Sequence, residues 1–199
     1  MKKAVLFLAV AAFFLAGVQQ ARAQISVGAG AGERVYLFKD AQGVTVPGSA
    51  PTLSVDFEAN FRLSKVFAVS VGADLAGVAG YHFMKDKTKN LGEIYLEAPV
   101  RAKVYNPLGS QVDLYIFGGP VPSLDLLSID AHAKGTTNNF ETKPTLTRFD
   151  VMLGGGVGIE IIKHIRATFG YDHGLLDRDT AANSAVHTGV LKVATYYMF

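Results

Sequence analysis

The chain has 199 residues and contains no cysteine. This absence excludes a disulfide framework, and it excludes a lipid anchor attached to a cysteine behind a leader sequence. The chain also lacks a Ser/Pro-rich linker and any shift in composition that would mark a second domain. Helical periodicity is not sustained beyond the first residues. We therefore expect one domain, built from strands.

No apolar run after the first residues is long enough for a transmembrane helix. The run 4–18 follows a basic start and precedes an A-x-A sequence at 21–23. This pattern predicts a secretory signal peptide over residues 1–23, cleaved near Ala23, and a mature domain over 24–199. A membrane anchor is the alternative, but the apolar run is short for a spanning helix.

The mature chain carries little net charge. The whole chain has 19 Lys and Arg residues against 17 Asp and Glu residues. Three of the basic residues, Lys2, Lys3 and Arg22, belong to the predicted signal, which leaves 16 basic against 17 acidic residues. A nucleic-acid partner would require a basic patch on the mature domain, so we expect no nucleic acid.

A long alternation between residues 51 and 81 organises the rest of the chain. Apolar residues at every second position of 53–63 interleave with polar ones, and the pattern resumes over 69–81 after Ser64-Lys65. A period of two over about ten residues in each arm predicts a β-hairpin with one apolar and one polar face. Arms of that length suit tilted strands that cross a bilayer.

The same alternation recurs along the mature chain. Strands are predicted at about 24–32, 53–63, 69–81, 93–104, 112–118, 148–161, 165–173 and 189–199. Short turns are expected around residues 64, 108 and 163, and long connections over 33–50, 82–90, 122–144 and 176–186. An even number of strands with alternating short and long connections predicts an all-β fold, an eight-stranded antiparallel up-and-down transmembrane β-barrel with both ends on the periplasmic side.

The competing fold is a secreted soluble β-sandwich or lipocalin-like barrel, because alternation alone does not say which face looks inward. The order of the loop lengths and the many apolar positions on one strand face favour the membrane. The chain also ends on alternating aromatic residues, Tyr197 and Phe199. Such an end is typical of the segment read by the outer-membrane insertion machinery. We therefore expect that machinery and outer-membrane lipids as partners, in a Gram-negative bacterium.

Several motifs of the chain carry a family resemblance. They are YLEAPV at 95–100 with Lys103, YIFGGP at 115–120, GGGVGIE at 154–160 and GYDHGL at 170–175, followed by the aromatic end. In this order they resemble the PorT-like outer-membrane β-barrel proteins, within the wider group of small OmpA/OmpX-like barrels. The resemblance covers most of the mature chain and implies a barrel in the outer membrane. It does not imply one activity, although PorT itself implies a role in outer-membrane transport or secretion.

The polar face of the predicted strands places charged side chains inside the barrel. These are Asp56, Glu58, Arg62, Asp74, Glu93, Glu97, Arg101, Lys103, Asp113, Arg148, Asp150, Glu160, Arg166, Asp172 and Lys192. An eight-stranded barrel is just wide enough for its own side chains, and an unpaired buried charge is costly, so we expect a closed lumen of ion pairs. The predicted centre of this network is Asp56, Glu58, Asp74, Glu97, Arg101 and Lys192. A narrow cation-preferring path along these charges is the alternative, since acids are in excess.

Glycine and proline add two expectations about the wall. Small inward residues, among them Gly154 and Gly158, leave room for long Arg and Lys side chains opposite. Pro99 cannot donate a ladder hydrogen bond, and a closed barrel has no edge strand to hide that loss. We therefore expect a bulge or a missing ladder bond at Pro99.

No residue spacing compels a catalytic site. His82, His132, His173 and His187 all fall on the outer side of the predicted topology, and neighbours such as Asp172 and His173 face opposite ways on a strand. We expect no enzyme, no cofactor and no metal site. A lipid-modifying outer-membrane enzyme and a zinc site on the outer histidines are lesser alternatives.

The polar connection 122–144 is the candidate surface for an extracellular ligand or protein partner. Its candidate binding residues are Asp130, His132, Lys134 and Phe140. The sequence thus predicts an integral outer-membrane barrel with a structural or loop-mediated binding role.

Overall fold

The computed structural model describes residues 23–39, 43–84, 87–132, 139–141, 147–178 and 185–199. These residues form the strands β1 (Ala23–Lys39), β2 (Thr45–Arg62), β3 (Phe67–Met84), β4 (Lys87–Glu97), β5 (Val100–Pro107), β6 (Val112–His132), β7 (Asn139–Glu141), β8 (Phe149–Ile161), β9 (Ile165–Gly174) and β10 (Ala185–Met198). In these ranges there is no helix long and apolar enough to cross a membrane. The predicted signal peptide lies outside the described residues, apart from Ala23 at the start of β1.

The strands close into a ring of antiparallel neighbours. The order around the ring is β1, β2, β3, then β4 with β5, then β6, β8, β9 and β10, which pairs back onto β1. β4 and β5 are two segments of one barrel strand, because both pair with β3 on one side and with β6 on the other. β7 is a short strand on the far end of β6. With β4 and β5 counted as one strand, the ring formed by the described residues has eight strands, which confirms the predicted up-and-down barrel.

The polar face of the strands lines the interior of the ring. Arg34, Asp56 and Arg166 are 0% exposed, whereas Leu53 and Ile116 on the outer face are 71% and 61% exposed. Burial of charges beneath an exposed apolar wall is the reverse of a water-soluble protein, and it is the pattern of a barrel surrounded by lipid. The soluble sandwich or lipocalin alternative needs the apolar face inside, so this arrangement excludes it.

The two ends of the barrel differ in their connections. Tight turns at 63–66, 108–111 and 162–164 lie where the sequence predicted them, at what we call the turn end, together with both ends of the described chain. The opposite end, the loop end, carries the remaining connections.

The long connections are shorter than predicted at the loop end, because the strands continue into them. β1 runs on to Lys39, β2 begins at Thr45, and β3 and β4 meet across residues 85–86. β6 continues to His132, so the predicted connection 122–144 is partly strand. In most of these extensions the sequence alternates less regularly between apolar and polar residues, and the period-two signal that marks the apolar wall fades.

The ring divides into two flaps at the loop end. The β2–β3 ladder stops at Thr52 and Val78, and the β6–β8 ladder stops at Leu124 and Phe149. Beyond these pairs, β10, β1 and β2 stay paired with one another and form the first flap, residues 35–39, 45–51 and 185–188. β3, β4, β6 and β7 stay paired and form the second flap, residues 79–84, 87–94, 125–132 and 139–141.

Candidate functional site in the barrel lumen

Charged side chains occupy the lumen from the turn end to the loop end. The acidic residues are Asp56, Glu58, Asp74, Glu93, Glu97, Asp113, Asp125, Asp150, Glu160 and Asp172. The basic residues are Arg34, Arg62, Arg101, Lys103, Arg166, Arg178 and Lys192. The prediction that Arg148 belongs to this set was wrong: it lies just before β8, where strand alternation does not apply, and is exposed.

At the turn end, Arg62 of β2 binds two carboxylates. Its Nη2 lies 2.8 Å from Asp113 Oδ2 and 2.7 Å from Glu160 Oε2. The guanidinium stacks over the Tyr105 ring at 4.1 Å, and Tyr105 Oη donates a hydrogen bond to Glu160 Oε1 at 2.9 Å. These contacts join β2, β5, β6 and β8 and close this end of the lumen.

One level deeper, two buried cations share two carboxylates. Glu58 accepts hydrogen bonds from Lys103 Nζ, at 2.7 Å, and from Arg166. Arg166 Nε also lies 3.3 Å from Glu160 Oε1. Because each buried charge here has an oppositely charged partner, the group avoids the cost of an unpaired buried ion.

In the middle of the barrel, Lys192 of β10 bridges two acids. Its Nζ donates to Asp56 Oδ1 at 2.8 Å and to Asp74 Oδ2 at 2.9 Å. Tyr196, four residues further along β10, donates to the other oxygen of Asp56 at 3.3 Å. The lysine therefore spans the lumen from β10 to β2 and β3.

Beside this group, Arg101 of β5 reaches across two strands to β9. Its Nη2 lies 2.6 and 2.7 Å from the two carboxylate oxygens of Asp172. On the way, its Nη1 donates to the carbonyl oxygens of Gly119 at 2.7 Å and Gly154 at 3.2 Å. Gly119 and Gly154 are paired residues on β6 and β8, and Gly154 is paired with Asp172. The row between Arg101 and Asp172 is therefore free of side chains, which gives the arginine its path.

At the loop end, aromatic rings join the charges. Arg34 pairs with Glu97, and its guanidinium carbon lies 3.7 Å from the centre of the Tyr95 ring. Tyr95 Oη donates to Glu93 Oε2 at 2.7 Å. Tyr36 of the first flap also donates to Glu93, which lies in the second flap. The lumen is thus closed here by contacts between the two flaps.

Arg178 enters this group from the connection between β9 and β10. It is 0% exposed, and its Nη1 donates to Tyr95 Oη at 2.8 Å. Its Nε donates to the carbonyl of Thr147 at 3.0 Å, and its Nη2 lies 3.8 Å from Asp125 Oδ2. A loop residue therefore completes the seal over the mouth of the barrel.

A cavity of about 60 Å³ lies between these groups. Charged residues line it, among them Asp74, Glu97, Arg101 and Lys192, together with Pro99, Phe117 and Val121. This volume accommodates a few water molecules, not an open pore.

The structure distributes the six predicted lumen residues over four groups. Asp56, Asp74 and Lys192 meet directly. Glu58 joins Lys103 and Arg166 instead. Glu97 pairs with Arg34, and Arg101 pairs with Asp172.

The outer histidines do not assemble a catalytic triad in the described part of the chain. His173 stacks on His187 with 6.3 Å between ring centres, and its Nδ1 lies 3.4 Å from Tyr171 Oη. Asp172 points the other way, into the lumen, where it binds Arg101. Among the described residues, no group of three or more His, Asp or Glu side chains is arranged to hold a metal ion.

Three of the four predicted outer binding residues lie on paired backbone and not in an irregular loop. Asp130 and His132 belong to β6 and pair with Glu141 and Asn139 of β7. Phe140 belongs to β7 and pairs with Ala131. Lys134 lies outside the described residues.

The two residues of the predicted insertion signal lie on the outer face at the turn end. Tyr197 and Phe199 make an edge-to-face contact with 5.1 Å between ring centres, and Tyr197 stacks on His164 at 6.1 Å. The Phe199 N–H donates to Ile25 O of β1 at 2.9 Å, so the end of the chain is tied to the start of the barrel.

Residues 5–199 match the family model described as "Outer membrane protein beta-barrel domain". The chain belongs to this family. The family places the barrel in the outer membrane. No curated protein matches the chain in sequence.

Solved structures of other outer-membrane barrels are similar to this one in outline. Neisserial surface protein A is 17% identical, with 88% of this chain and 97% of that chain covered and a TM-score of 0.49. Ail, the attachment invasion locus protein of Yersinia pestis, in complex with the heparin analogue sucrose octasulfate, is 12% identical, with 88% and 99% covered and a TM-score of 0.48. The outer membrane enzyme PagL is 12% identical, with 85% and 97% covered and a TM-score of 0.47.

Sequence reasoning missed several residues of the barrel lumen. Arg34 and Tyr36 fell in a predicted connection, although they continue the inward positions of β1 two residues at a time after Gly32. Asp125 and Arg178 fell in predicted connections as well. A period-two signal could have found the first pair, but no local pattern marks a loop arginine that folds into the lumen.

Proposed function

We propose that this protein is a closed, non-conducting outer-membrane barrel that acts as a structural anchor and presents its loop end for binding. The observation that carries the proposal is the sequence of ion-paired groups along the lumen, from Arg62 at the turn end to Arg178 at the loop end. A barrel of this size has little room beyond its own side chains.

The two flaps support the binding part of the proposal. Each flap extends the barrel wall beyond the last ladder pairs that join it to its neighbour, and the second carries the connection 133–138 between β6 and β7. The paired strands β6 and β7 stand on either side of this connection, and loops on a rigid scaffold are common binding surfaces. The ligand or protein partner would therefore contact the outer rim, not the lumen.

The runner-up is a component of outer-membrane transport or secretion, including a narrow cation-preferring path. The excess of acidic over basic residues around the central cavity favours this reading, as does the resemblance of the motifs to PorT-like proteins. Against it stands the pairing of Lys192, Arg101 and Arg166 across the same section of the lumen. A lipid-modifying enzyme is a third candidate, and the separation of Asp172 from His173 disfavours it.

Conductance separates the closed barrel from the channel. The purified protein, folded in detergent and inserted in planar bilayers, should give no steady current at moderate voltage. A porin inserted in the same bilayer is the positive control and should conduct. A reproducible, cation-selective current would reject the closed barrel and favour the runner-up.

Orientation and loop binding need separate readouts. Because the chain has no native cysteine, Lys134→Cys and Lys65→Cys each carry one thiol. On intact cells, a membrane-impermeant maleimide should label position 134 and leave position 65, in a turn-end connection, unlabelled until the cells are opened. Labelling of position 65 alone would reverse the orientation.

For binding, residues 133–138 are replaced by a Gly/Ser segment of equal length. Cells carrying this variant should lose adherence to a panel of immobilised glycans and extracellular-matrix proteins that retains cells carrying the unchanged protein. Equal adherence of the two, at equal surface amount, would contradict a role for this connection.

A further inference from the structure

The backbone ladder of the barrel wall is interrupted at mid-height, between the strand formed by β4 and β5 and its neighbour β6. Ladder pairs stop at Glu97–Ser123 and resume at Ala102–Gly118 in the same register. In the gap, residues 98–101 face 119–122, and the Ala98 N–H donates to Pro122 O at 2.9 Å. The wall therefore holds together across the gap with fewer backbone bonds than elsewhere.

Prolines account for the gap. Hydrogen-bonded pairs alternate along an antiparallel ladder, so the bond from Ala98 to Pro122 marks residues 100 and 120 as the next such pair. In both pairs the β6 partner is a proline, Pro122 or Pro120, which has no N–H to return. Pro99 removes a third donor on the β3 side, where Gly72 N–H donates to Pro99 O at 2.8 Å without a return bond.

The wall is also thin at this place. The residues flanking the gap on the outer face are small or cyclic, since Ala98, Ala102 and Pro120 are exposed there beside Gly118. Directly behind the gap lies the central cavity, whose lining includes Pro99, Phe117 and Val121. One layer of weakly bonded backbone separates this cavity from the lipid side.

Arg101 substitutes for the missing bonds. It sits at the edge of the gap on β5, and its guanidinium bonds the Gly119 carbonyl on the other side at 2.7 Å. The same guanidinium continues to Asp172 on β9, at 2.6 and 2.7 Å. Nη2 thus bonds both Asp172 oxygens while Nη1 bonds the glycine carbonyls, and because charge-assisted hydrogen bonds are strong, this contact holds the two sides of the gap together from inside.

We propose that this gap is a lateral port between the central cavity and the bilayer, held shut by the Arg101–Asp172 clamp. Opening moves residues 98–101 away from 119–122 and leaves the seals at the two ends of the barrel in place. The port thus goes beyond the closed lumen proposed above, because it opens sideways and not along the axis. The open state is a minor one, since it exposes polar backbone to lipid.

Hydrogen exchange of the full barrel in lipid nanodiscs tests the port. The amides of Ala98 and Val100, whose N–H groups point across the gap, should exchange roughly 10- to 100-fold faster than those of the β1–β10 ladder, such as Ala29, because fewer bonds hold them. Arg101→Ala should accelerate exchange at the gap by roughly tenfold more and leave the β1–β10 ladder unchanged. Exchange at the gap as slow as at Ala29 in both proteins would overturn the proposal.

A disulfide across the gap provides the matched control. In the Ala98→Cys/Pro122→Cys variant, the oxidised form should slow exchange at the gap relative to the reduced form of the same protein. The pair Ala102→Cys/Gly118→Cys closes the intact ladder next to the gap, and its oxidation should leave exchange at the gap unchanged. Slowing by both disulfides, or by neither, would contradict a local port.

Fluorescence gives a readout that does not depend on exchange. The chain contains no tryptophan, so Phe117→Trp places a single reporter in the cavity and Ile116→Trp places one on the lipid face. Lipids brominated on the acyl chain should quench the reporter at 116 strongly and the one at 117 weakly. Quenching at 117 should rise when Arg101→Lys is added, and fall again with the oxidised disulfide at 98 and 122. No change at 117 in a folded Arg101→Lys protein would reject the clamp.

Discussion

Asp56 and Asp74 are directly paired residues on β2 and β3, and both carboxylates accept a hydrogen bond from the same Lys192 ammonium. Like charges directly opposite each other on neighbouring strands are destabilising. The lysine therefore makes this pairing tolerable, and it does so from β10, on another part of the ring. The side chain that balances these charges thus comes from β10, the strand that closes the ring onto β1.

Lys192→Met should destabilise the barrel by about 3 kcal/mol, because it leaves two opposed carboxylates in the lumen without a cation. The measurement is the urea midpoint of unfolding in lipid vesicles, followed by the shift between folded and heated forms on a gel. The triple variant Lys192→Met/Asp56→Asn/Asp74→Asn should recover most of the loss, since the uncompensated charge is gone. A triple variant as unstable as the single one would show that packing, not charge, is the cause.

Gly158 is expected to resist substitution because the Tyr115 ring lies over it. A Cβ on Gly158 would meet the Tyr115 ring and hydroxyl, and Gly158→Ala should lower the free energy of unfolding by about 1–3 kcal/mol. Gly77 is a strand glycine with no atom within 4 Å of its Cβ position. Gly77→Ala should therefore change the same midpoint by less than about 0.5 kcal/mol. Equal effects at both positions would contradict the packing argument.

The turn between β8 and β9 holds stored strain. Ile162 and Lys163 have φ values of +55° and +61°, and His164 N–H bonds Ile161 O at 3.3 Å. Two successive residues with positive φ form the tight hairpin turn that prefers Asn-Gly. Ile162→Asn/Lys163→Gly should stabilise the barrel by about 1 kcal/mol, measured as slower or later unfolding in urea. Lys65→Asn, in a turn without such φ values, is the control and should have little effect.

Phe199 should matter for assembly more than for stability. It is 73% exposed on the outer face, so Phe199→Ala removes little contact with the rest of the protein beyond the ring contact with Tyr197. The sequence predicts that the insertion machinery reads the terminal aromatic. On this hypothesis the variant should fold in detergent at the normal rate but reach the outer membrane in reduced amount. The amount of heat-shifting protein in the outer-membrane fraction measures this. A Phe199→Tyr variant should assemble normally, and failure of both variants to fold in detergent would point to stability instead.

The apolar wall could be predicted from the sequence because lipid imposes a strict period of two. Residues such as Val55, Phe57 and Leu75 have to face outward, so the polar residues between them face the lumen. The break at Pro99 was predictable for the same reason, since a closed barrel leaves proline no edge strand to occupy. Both predictions rest on constraints that act at each position separately.

The partners inside the lumen could not be predicted in the same way. Which acid Lys192 or Arg101 meets depends on which strands lie across the ring and on how far bare glycines let a side chain reach. The flaps were missed because their strands lie beyond the apolar wall, where nothing forces alternation. Arg178 reaches the lumen from a loop, and its burial follows from tertiary contacts with Tyr95 and Thr147 that leave no local trace in the sequence.

The bare path over Gly119 and Gly154 has a consequence for how this barrel can change over generations. A side chain at Gly154 would meet the Asp172 carboxylate, and one at Gly119 would meet the backbone of Val100 and Arg101, so either would disturb the contact from Arg101 to Asp172. Positions 101, 119, 154 and 172 lie far apart in the chain, but substitutions at any one of them affect the others. In diverging descendants they should be kept together or be lost together.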